Sequence, residues 1–248
     1  SVLRAIAEFG NSHAFFTTGV VVGAGAGLVP VSAIVDPATI FPVTQISASL
    51  YHTCAVVSNG TAACWGYGDY GALGAGNNNG SNTPVAVTGG ALANKTITQI
   101  DSARFHTCAV VSDGTVACWG LNQYGQLGTG ISNNSNTPVA ITGGALAGKT
   151  VTQITAGHSR TCAVVSDGTV ACWGGGDSFT PVAVTGGALA GATVTKITAG
   201  HAHMCALISD GTATCWGDNS GGVLGTGNEV DSTIPVAVTG GTLANKTA

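Results

Sequence analysis

HTCAVVSDGTVACWG, residues 106–120, is the stretch whose reading decides the fold. It recurs as HTCAVVSNGTAACWG at 52–66, RTCAVVSDGTVACWG at 160–174 and HMCALISDGTATCWG at 203–217. Four near-copies in 248 residues mean a repeat array, in which each copy needs its neighbours to bury its apolar faces. Within each copy, two short runs of β-branched and small apolar residues flank Ser-Asp-Gly or Ser-Asn-Gly, the pattern of an antiparallel hairpin. A two-residue turn at Asp113-Gly114 would set Cys108 opposite Trp119. A three-residue loop, Ser112-Asp113-Gly114, is a type I turn closed by a left-handed glycine. It sets Val110 against Val116, Ala109 against Ala117 and Cys108 against Cys118. The cysteines then fall at a non-hydrogen-bonded pair, where Cα atoms sit about 4.5 Å apart, at the short end of the disulfide range.

The same spacing separates Cys54 from Cys64, Cys108 from Cys118, Cys162 from Cys172 and Cys205 from Cys215. Eight cysteines can pair in about 105 ways, and the repeat selects four disulfides, one inside each hairpin. A His-Cys-Cys metal site competes, because His52, His106 and His203 lie two residues before the first cysteine on the same strand face. Free thiols are the other rival. The third repeat carries Arg160 at the histidine position yet keeps both cysteines, which a ligand set would not tolerate. We therefore expect no metal site and no cofactor. Disulfides imply an extracellular or cell-surface location.

Composition agrees. Charged residues make up 7% of the chain, against roughly 25% in an ordinary soluble domain. A formal charge of −4 with only seven basic residues argues against nucleic acid or an anionic membrane as partner. No signal peptide is recognisable at Ser1.

The start of the chain is less regular. Residues 14–35 run without a charge, so a membrane span is one reading and a separate docking strand another. Register favours a degenerate first repeat. Leu3/Ile6 has the two-hydrophobe step of Val43/Ile46, Ile97/Ile100, Val151/Ile154 and Val194/Ile197. Pro30 lies 16 positions before Ile46, as Pro84, Pro138 and Pro181 lie before Ile100, Ile154 and Ile197. The expected organisation is a single all-β domain, 1–248, of five units: 1–42 (degenerate), 43–96, 97–150, 151–193 and 194–248.

After three hairpins comes a Gly-rich loop, at 68–76, 122–130 and 219–227. No lysine or helix signal follows, so these are turns pinning a buried leucine rather than phosphate cradles. Trp and Pro are 19 positions apart in three repeats and 8 apart in the third (Trp173, Pro181), which has lost that loop. Asn94, Gly148, Gly191 and Asn245 interchange at one repeat position, the mark of a positive φ.

The pattern around Ile100, His106, Asp113-Gly114, Trp119-Gly120 and Gly125-Gln126-Leu127-Gly128 resembles the regulator of chromosome condensation repeat family, most fully over 100–130. The resemblance implies a β-propeller, usually of seven four-stranded blades, used as a binding scaffold. The paired cysteines and the Gly-Gly-Ala-Leu-Ala linker resemble extracellular prokaryotic members. The founding eukaryotic activity, nucleotide exchange on a small nuclear GTPase with chromatin binding, needs a reducing compartment and a particular loop surface. It is not expected here, and five units also depart from the family's seven.

No catalytic residues are expected. Asp113, Asp167 and Asp210 are turn aspartates. Ser58, Ser112, Ser166 and Ser209 are turn serines. The repeated histidines, His158 and His201 included, read as structural hydrogen-bonders. Of five Asn-x-Ser/Thr sequons, Asn79 and Asn133 lack a structural explanation and are candidate glycosylation sites. Low charge and high apolar content favour a non-enzymatic structural protein, a self-assembling subunit of a surface layer, sheath or filament. The alternative is a secreted recognition module binding a protein or glycan on loops such as 68–76 and 219–227. Partners are then copies of the chain itself, pairing strands through its termini into a ring or a polymer, or another extracellular protein or glycan.

Overall fold

A computed structural model describes residues 41–176 and 178–239. The degenerate first repeat, the uncharged stretch 14–35 and the terminal strand pairing all lie outside the described residues.

Sixteen strands form four antiparallel sheets in chain order. The first sheet holds β1 (Val43–Ala48), β2 (His52–Val57), β3 (Ala62–Gly66) and β4 (Ser81–Ala86). The second holds β5 (Ile97–Ser102), β6 (His106–Val111), β7 (Val116–Gly120) and β8 (Ser135–Ile141). The third holds β9 (Val151–Ala156), β10 (Arg160–Val165), β11 (Val170–Gly174) and β12 (Ser178–Val184). The fourth holds β13 (Val194–Ala199), β14 (His203–Ile208), β15 (Ala213–Gly217) and β16 (Ser232–Ala237). Each sheet is a meander, and the first strands β1, β5, β9 and β13 lie side by side along the inner edge. These are the blades of a β-propeller.

The hairpin follows the three-residue loop. Val111 and Thr115 close it, Val110 pairs with Val116, and Cys108 pairs with Cys118. Gly114 takes φ 80° there, and Asp113 Oδ1 accepts from the Thr115 N–H and hydroxyl at 2.9 and 2.6 Å. Disulfides join Cys54 to Cys64, Cys108 to Cys118, Cys162 to Cys172 and Cys205 to Cys215, each with Cα atoms 4.1 Å apart. The first two bonds are buried at both ends. In the later hairpins Cys162 and Cys215 are buried, whereas Cys172 and Cys205 are half-buried. Asn94, Gly148 and Gly191 have φ between 60° and 71°, and Asn245 lies outside the described residues.

Three apolar layers separate the four sheets. Between the first and second, Cys54, Val56, Cys64 and Leu73 pack on Ile100, Ala109, Val111 and Trp119. Between the second and third, Cys108, Cys118 and Leu127 meet Ile154, Ala163 and Trp173. Between the third and fourth, Cys162 and Cys172 share a layer with Ile197, Met204 and Trp216. Each of the first three disulfides therefore packs in one layer with the tryptophan of the following blade. The strands β6 and β7 are buried throughout, which explains why their sequence shows no apolar–polar alternation. Val43 and Ile46 of the first sheet are 59% and 62% exposed, whereas their counterparts Ile97/Ile100, Val151/Ile154 and Val194/Ile197 are buried.

A bulge in each inner strand aims one side chain at the next blade. The extra residue is Thr98 in β5, and its hydroxyl donates to Val110 O. Gln99 beside it then grips the neighbouring inner strand. Its Oε1 accepts from Ile154 N at 2.8 Å and its Nε2 donates to Ile154 O at 3.0 Å. Gln45 holds Ile100 in the same way, and Gln153 holds Ile197. In the fourth sheet Lys196 stands at this position.

Candidate functional site

Two groups of chemistry-bearing side chains emerge, one locking blades together and one facing solvent. The buried group begins at the repeat histidine. His52 Nε2 lies 2.8 Å from Thr107 Oγ1, and His106 Nε2 lies 2.9 Å from Thr161 Oγ1, each reaching the following blade. The threonine proton is already given to a loop carbonyl, Ala72 O for Thr107 and Gln126 O for Thr161. The imidazoles must therefore donate from Nε2–H. The same carbonyls accept from the indole N–H of Trp119 and Trp173 at 3.0 and 2.9 Å. Burial drives the His52 pKa down to about 4 and that of His106 to about 3, so both rings are neutral. The cysteine sulfurs beside them are bonded to each other. We expect His106→Ala to lower stability by about 1–3 kcal/mol, read as a lower denaturant midpoint, because Thr161 loses a buried donor.

Arg160 at the third histidine position is now intelligible. At the next junction the threonine is replaced by Met204, 2% exposed, and the loop that would supply the carbonyl is missing. Three departures, Arg160, Met204 and the lost loop, belong to one interface.

The second group lies where the β1–β2 and β3–β4 connections, and their counterparts in later blades, come together. Tyr51 stacks on Phe105 with ring centroids 5.1 Å apart, Tyr67 packs beside both, and Tyr70 meets Phe105 edge-on at 5.5 Å. The Arg104 guanidinium sits 4.9 Å from the Phe105 centroid and 5.7 Å from that of Tyr51. Arg104 also donates to His158 Nε2 at 2.7 Å, and His158 stacks on His201 at 4.4 Å. Desolvation, then the fields of His201 and Arg104, lower the His158 pKa. A hydrogen bond to Asp69 holds the Tyr67 hydroxyl above its usual range.

A continuous aromatic and cationic strip thus crosses all four described sheets. Tyr51, Tyr67 and Tyr70 are each more than 40% exposed, and Leu50 beside them is 71% exposed. Tyr70 adopts φ 61°, a strained conformation for an aromatic residue, and this places its ring against Phe105. Asn133 and Asn134 line a shallow depression next to Tyr70, and both Asn79 and Asn133 are exposed.

His158, half-buried, takes the Arg104 hydrogen bond, and His201, exposed, stacks on it; both belong to the strip. Of the loops expected to bind, 68–76 contributes Tyr70, whereas 219–227 contributes nothing to the strip. Sequence reasoning missed Tyr51, Arg104 and Phe105. Their signal was variation, since they occupy the two positions before the repeat histidine, where an otherwise constant frame changes from copy to copy.

Four meandering blades with a solvent-facing aromatic strip define a β-propeller of the kind that commonly serves as a protein-interaction module. Profiles described as "Regulator of chromosome condensation (RCC1) repeat" match residues 59–110 and 113–164, and a second such profile matches 43–72, 97–126, 151–179 and 194–228. The chain belongs to the RCC1 repeat family. It is 36% identical over 135 residues to the ultraviolet-B receptor UVR8 of Arabidopsis thaliana, covering 54% of this chain and 30% of the receptor. Human E3 ubiquitin-protein ligase HERC2 is 34% identical over 139 residues, 55% of this chain and 3% of the ligase. The chain therefore spans less than a third of these relatives. Among solved structures, human WBSCR16 superposes with a TM-score of 0.73 at 26% identity, over 82% of this chain and 55% of that one. Prp20p of Saccharomyces cerevisiae, described with its binding to Gsp1p and histones, superposes at 0.70 and 19% identity, over 82% and 51%.

Proposed function

We propose that the chain is a non-enzymatic recognition module of an extracellular protein, binding a partner protein through the strip formed by Tyr51, Tyr67, Tyr70, Arg104 and Phe105. The observation that carries this reading is the strip itself. Tyrosine, phenylalanine and arginine are enriched at protein interfaces, and tyrosine and arginine at their energetic centres. Here they are already stacked on one another, so little side-chain freedom is lost on binding. The four disulfides support an oxidising environment, and the extracellular part of this reading draws on that. Asn79 and Asn133, exposed on loops of the same blades, are its candidate glycan acceptors. The partners of Prp20p are not carried over, because that likeness rests on the fold alone.

The test is site-specific photo-crosslinking in native exported material. A photoreactive residue at Tyr51 or Tyr67 should yield one discrete adduct, and one at Asn59, in the turn at the other end of β2, should not. Phe105→Ala should weaken binding of the captured partner about tenfold or more while leaving the melting temperature nearly unchanged. Equal adduct yields at Tyr51 and Asn59 would refute the assignment.

A second reading, a self-assembling subunit of a surface layer, sheath or filament, is favoured by one feature. Val43 and Ile46 present in the open the pair that every later sheet buries against the blade before it. Such a surface fits a further blade. Polymers in negative-stain images of native material would support this reading.

A further inference from the structure

The junction between the third and fourth sheets lacks a part that the two earlier junctions possess. In the first repeat, loop 68–76 crosses to the second sheet, buries Leu73, and gives Ala72 O to Trp119. Gly76 N then donates to Asn136 O at 2.9 Å. The second repeat does the same with Leu127, Gln126 O, Trp173 and a bond from Gly130 N to Phe179 O at 2.8 Å. Glycine is required where these loops pass the indole: a Cβ on Gly74 or Gly128 would lie 2.7 or 2.8 Å from the tryptophan Nε1.

The third repeat has no such loop, yet the wall that receives one is intact. Trp216 stands where Trp119 and Trp173 stand, and Thr233 where Asn136 and Phe179 stand. Among the described residues, no carbonyl accepts from Trp216 Nε1 and no N–H replaces the glycine donor at Thr233 O. Between the two sheets opens a cleft of about 430 Å³, lined by Arg160, Trp173, Val182, Trp216, Thr233 and Ile234. Val182 is 52% exposed there, although its counterparts Val85 and Val139 pack against their core layers. Ile234, 55% exposed, takes the place of the threonines Thr83, Thr137 and Thr180. Ile234 thus adds apolar surface where the loop was lost, and Met204 replaces the threonine that needed its carbonyl.

We infer that this cleft is a second binding site, a receptor for a glycine-flanked leucine turn offered by a partner polypeptide. The turn seats its leucine between Trp173 and Trp216, gives a backbone carbonyl to the Trp216 indole N–H, and donates a backbone N–H to Thr233 O. The occupant's chemistry is read from this chain, which fills the same wall twice with its own Gly-Ala-Leu-Gly and Gly-Gln-Leu-Gly segments.

The probe is a synthetic peptide of residues 121–132, LNQYGQLGTGIS, titrated into the full chain carrying isotope-labelled tryptophan. We expect a saturable downfield shift of the Trp216 indole proton, with those of Trp65 and Trp119, which do not line the cleft, nearly unmoved. A peptide with aspartate in place of its leucine should bind about tenfold or more weakly. Val182→Glu, at an exposed position that leaves the fold intact, should do the same. Grafting residues 121–132 between Gly174 and Ser178 should abolish binding of the peptide. The inference is overturned if the Trp216 signal does not move at millimolar peptide, or if the aspartate peptide binds equally. It is also overturned if a glycan or a second copy of the chain, and not the peptide, produces the shift.

Discussion

Reduction of the four disulfides is expected to unfold the protein. Each bond closes a sequence separation of ten residues, which in the chain-entropy account is worth about 2.7 kcal/mol. Four together amount to roughly 10 kcal/mol, comparable with the whole stability of an ordinary domain. The loss is compounded because the bond of Cys54 to Cys64 packs on Trp119 and that of Cys108 to Cys118 on Trp173, so a loosened hairpin also loosens the next blade. With Cys54, Cys64, Cys108 and Cys118 fully buried, reductant must act before folding or in mild denaturant. The half-buried Cys172 and Cys205 make the third and fourth bonds the first to yield. The expected result is loss of the cooperative denaturation transition in fully reduced protein, and a loss of about 2–3 kcal/mol when Cys108→Ala and Cys118→Ala are combined. A reduced protein that still unfolds cooperatively at the parent's midpoint would show that blade packing alone suffices.

The second large effect is acid. The folded pKa values of His52 and His106, about 4 and about 3, lie below the ordinary 6.5. Burial is the main cause, joined for His106 by the fields of His52 and His158. The unfolded chain thus takes up protons that the folded chain refuses. Stability is fully present above pH 6.5 and drains as the pH falls towards 4, by about 1.4 kcal/mol per pH unit for each ring. By about pH 4 the pair has removed on the order of 6 kcal/mol. Asp101 opposes this: burial raises its pKa despite bonds from Ser47 and Ala156, so the folded state binds its proton first. The turn aspartates Asp113, Asp167 and Asp210, held low by their threonines, act only below their ordinary 3.8. Guanidinium midpoints followed by tryptophan fluorescence should fall steeply from about pH 7 to 4.5. A variant combining His52→Gln and His106→Gln, weaker at neutral pH, should lose that slope. A parent midpoint that stays flat across this range would mean that the histidines are not buried and neutral.

Much of this architecture was legible because it is local. The offset from Cys108 through Asp113-Gly114 to Cys118 admits one comfortable loop, and that loop dictates the pairing. The exchange of Asn94, Gly148 and Gly191 announced a positive φ without any knowledge of the fold. What could not be read is what one repeat does to the next. The bond from His106 to Thr161 spans a whole repeat plus one residue, a distance at which no periodicity in the chain speaks. Arg160 could be used against a metal, but its physical sense needed Met204 and the missing loop to be seen at the same junction. The aromatic strip was hidden for the opposite reason. Leu50-Tyr51 and Arg104-Phe105 share a repeat position with the recurring His158 and His201 without sharing their chemistry, and attention to what recurs passes over what does not.

The glutamine grips on the inner strands have a consequence for how such a chain can change. Gln45, Gln99 and Gln153 each hold the N–H and C=O of an isoleucine in the next blade, and therefore read main chain only. Nothing at the outer rim enters that contact. The third repeat shed a loop while Gln153 kept the same hold on Ile197, at 2.8 and 3.1 Å, that Gln99 keeps on Ile154. The inner-strand grip is thus kept independently of the length of the outer connection. A connection between the third and fourth strands of a blade can change length without breaking this contact, provided that the junction it packs into is changed with it, as Arg160 and Met204 show. This makes the inner strands the constant chassis of the chain, and each junction with its loop the unit in which binding surfaces can be varied.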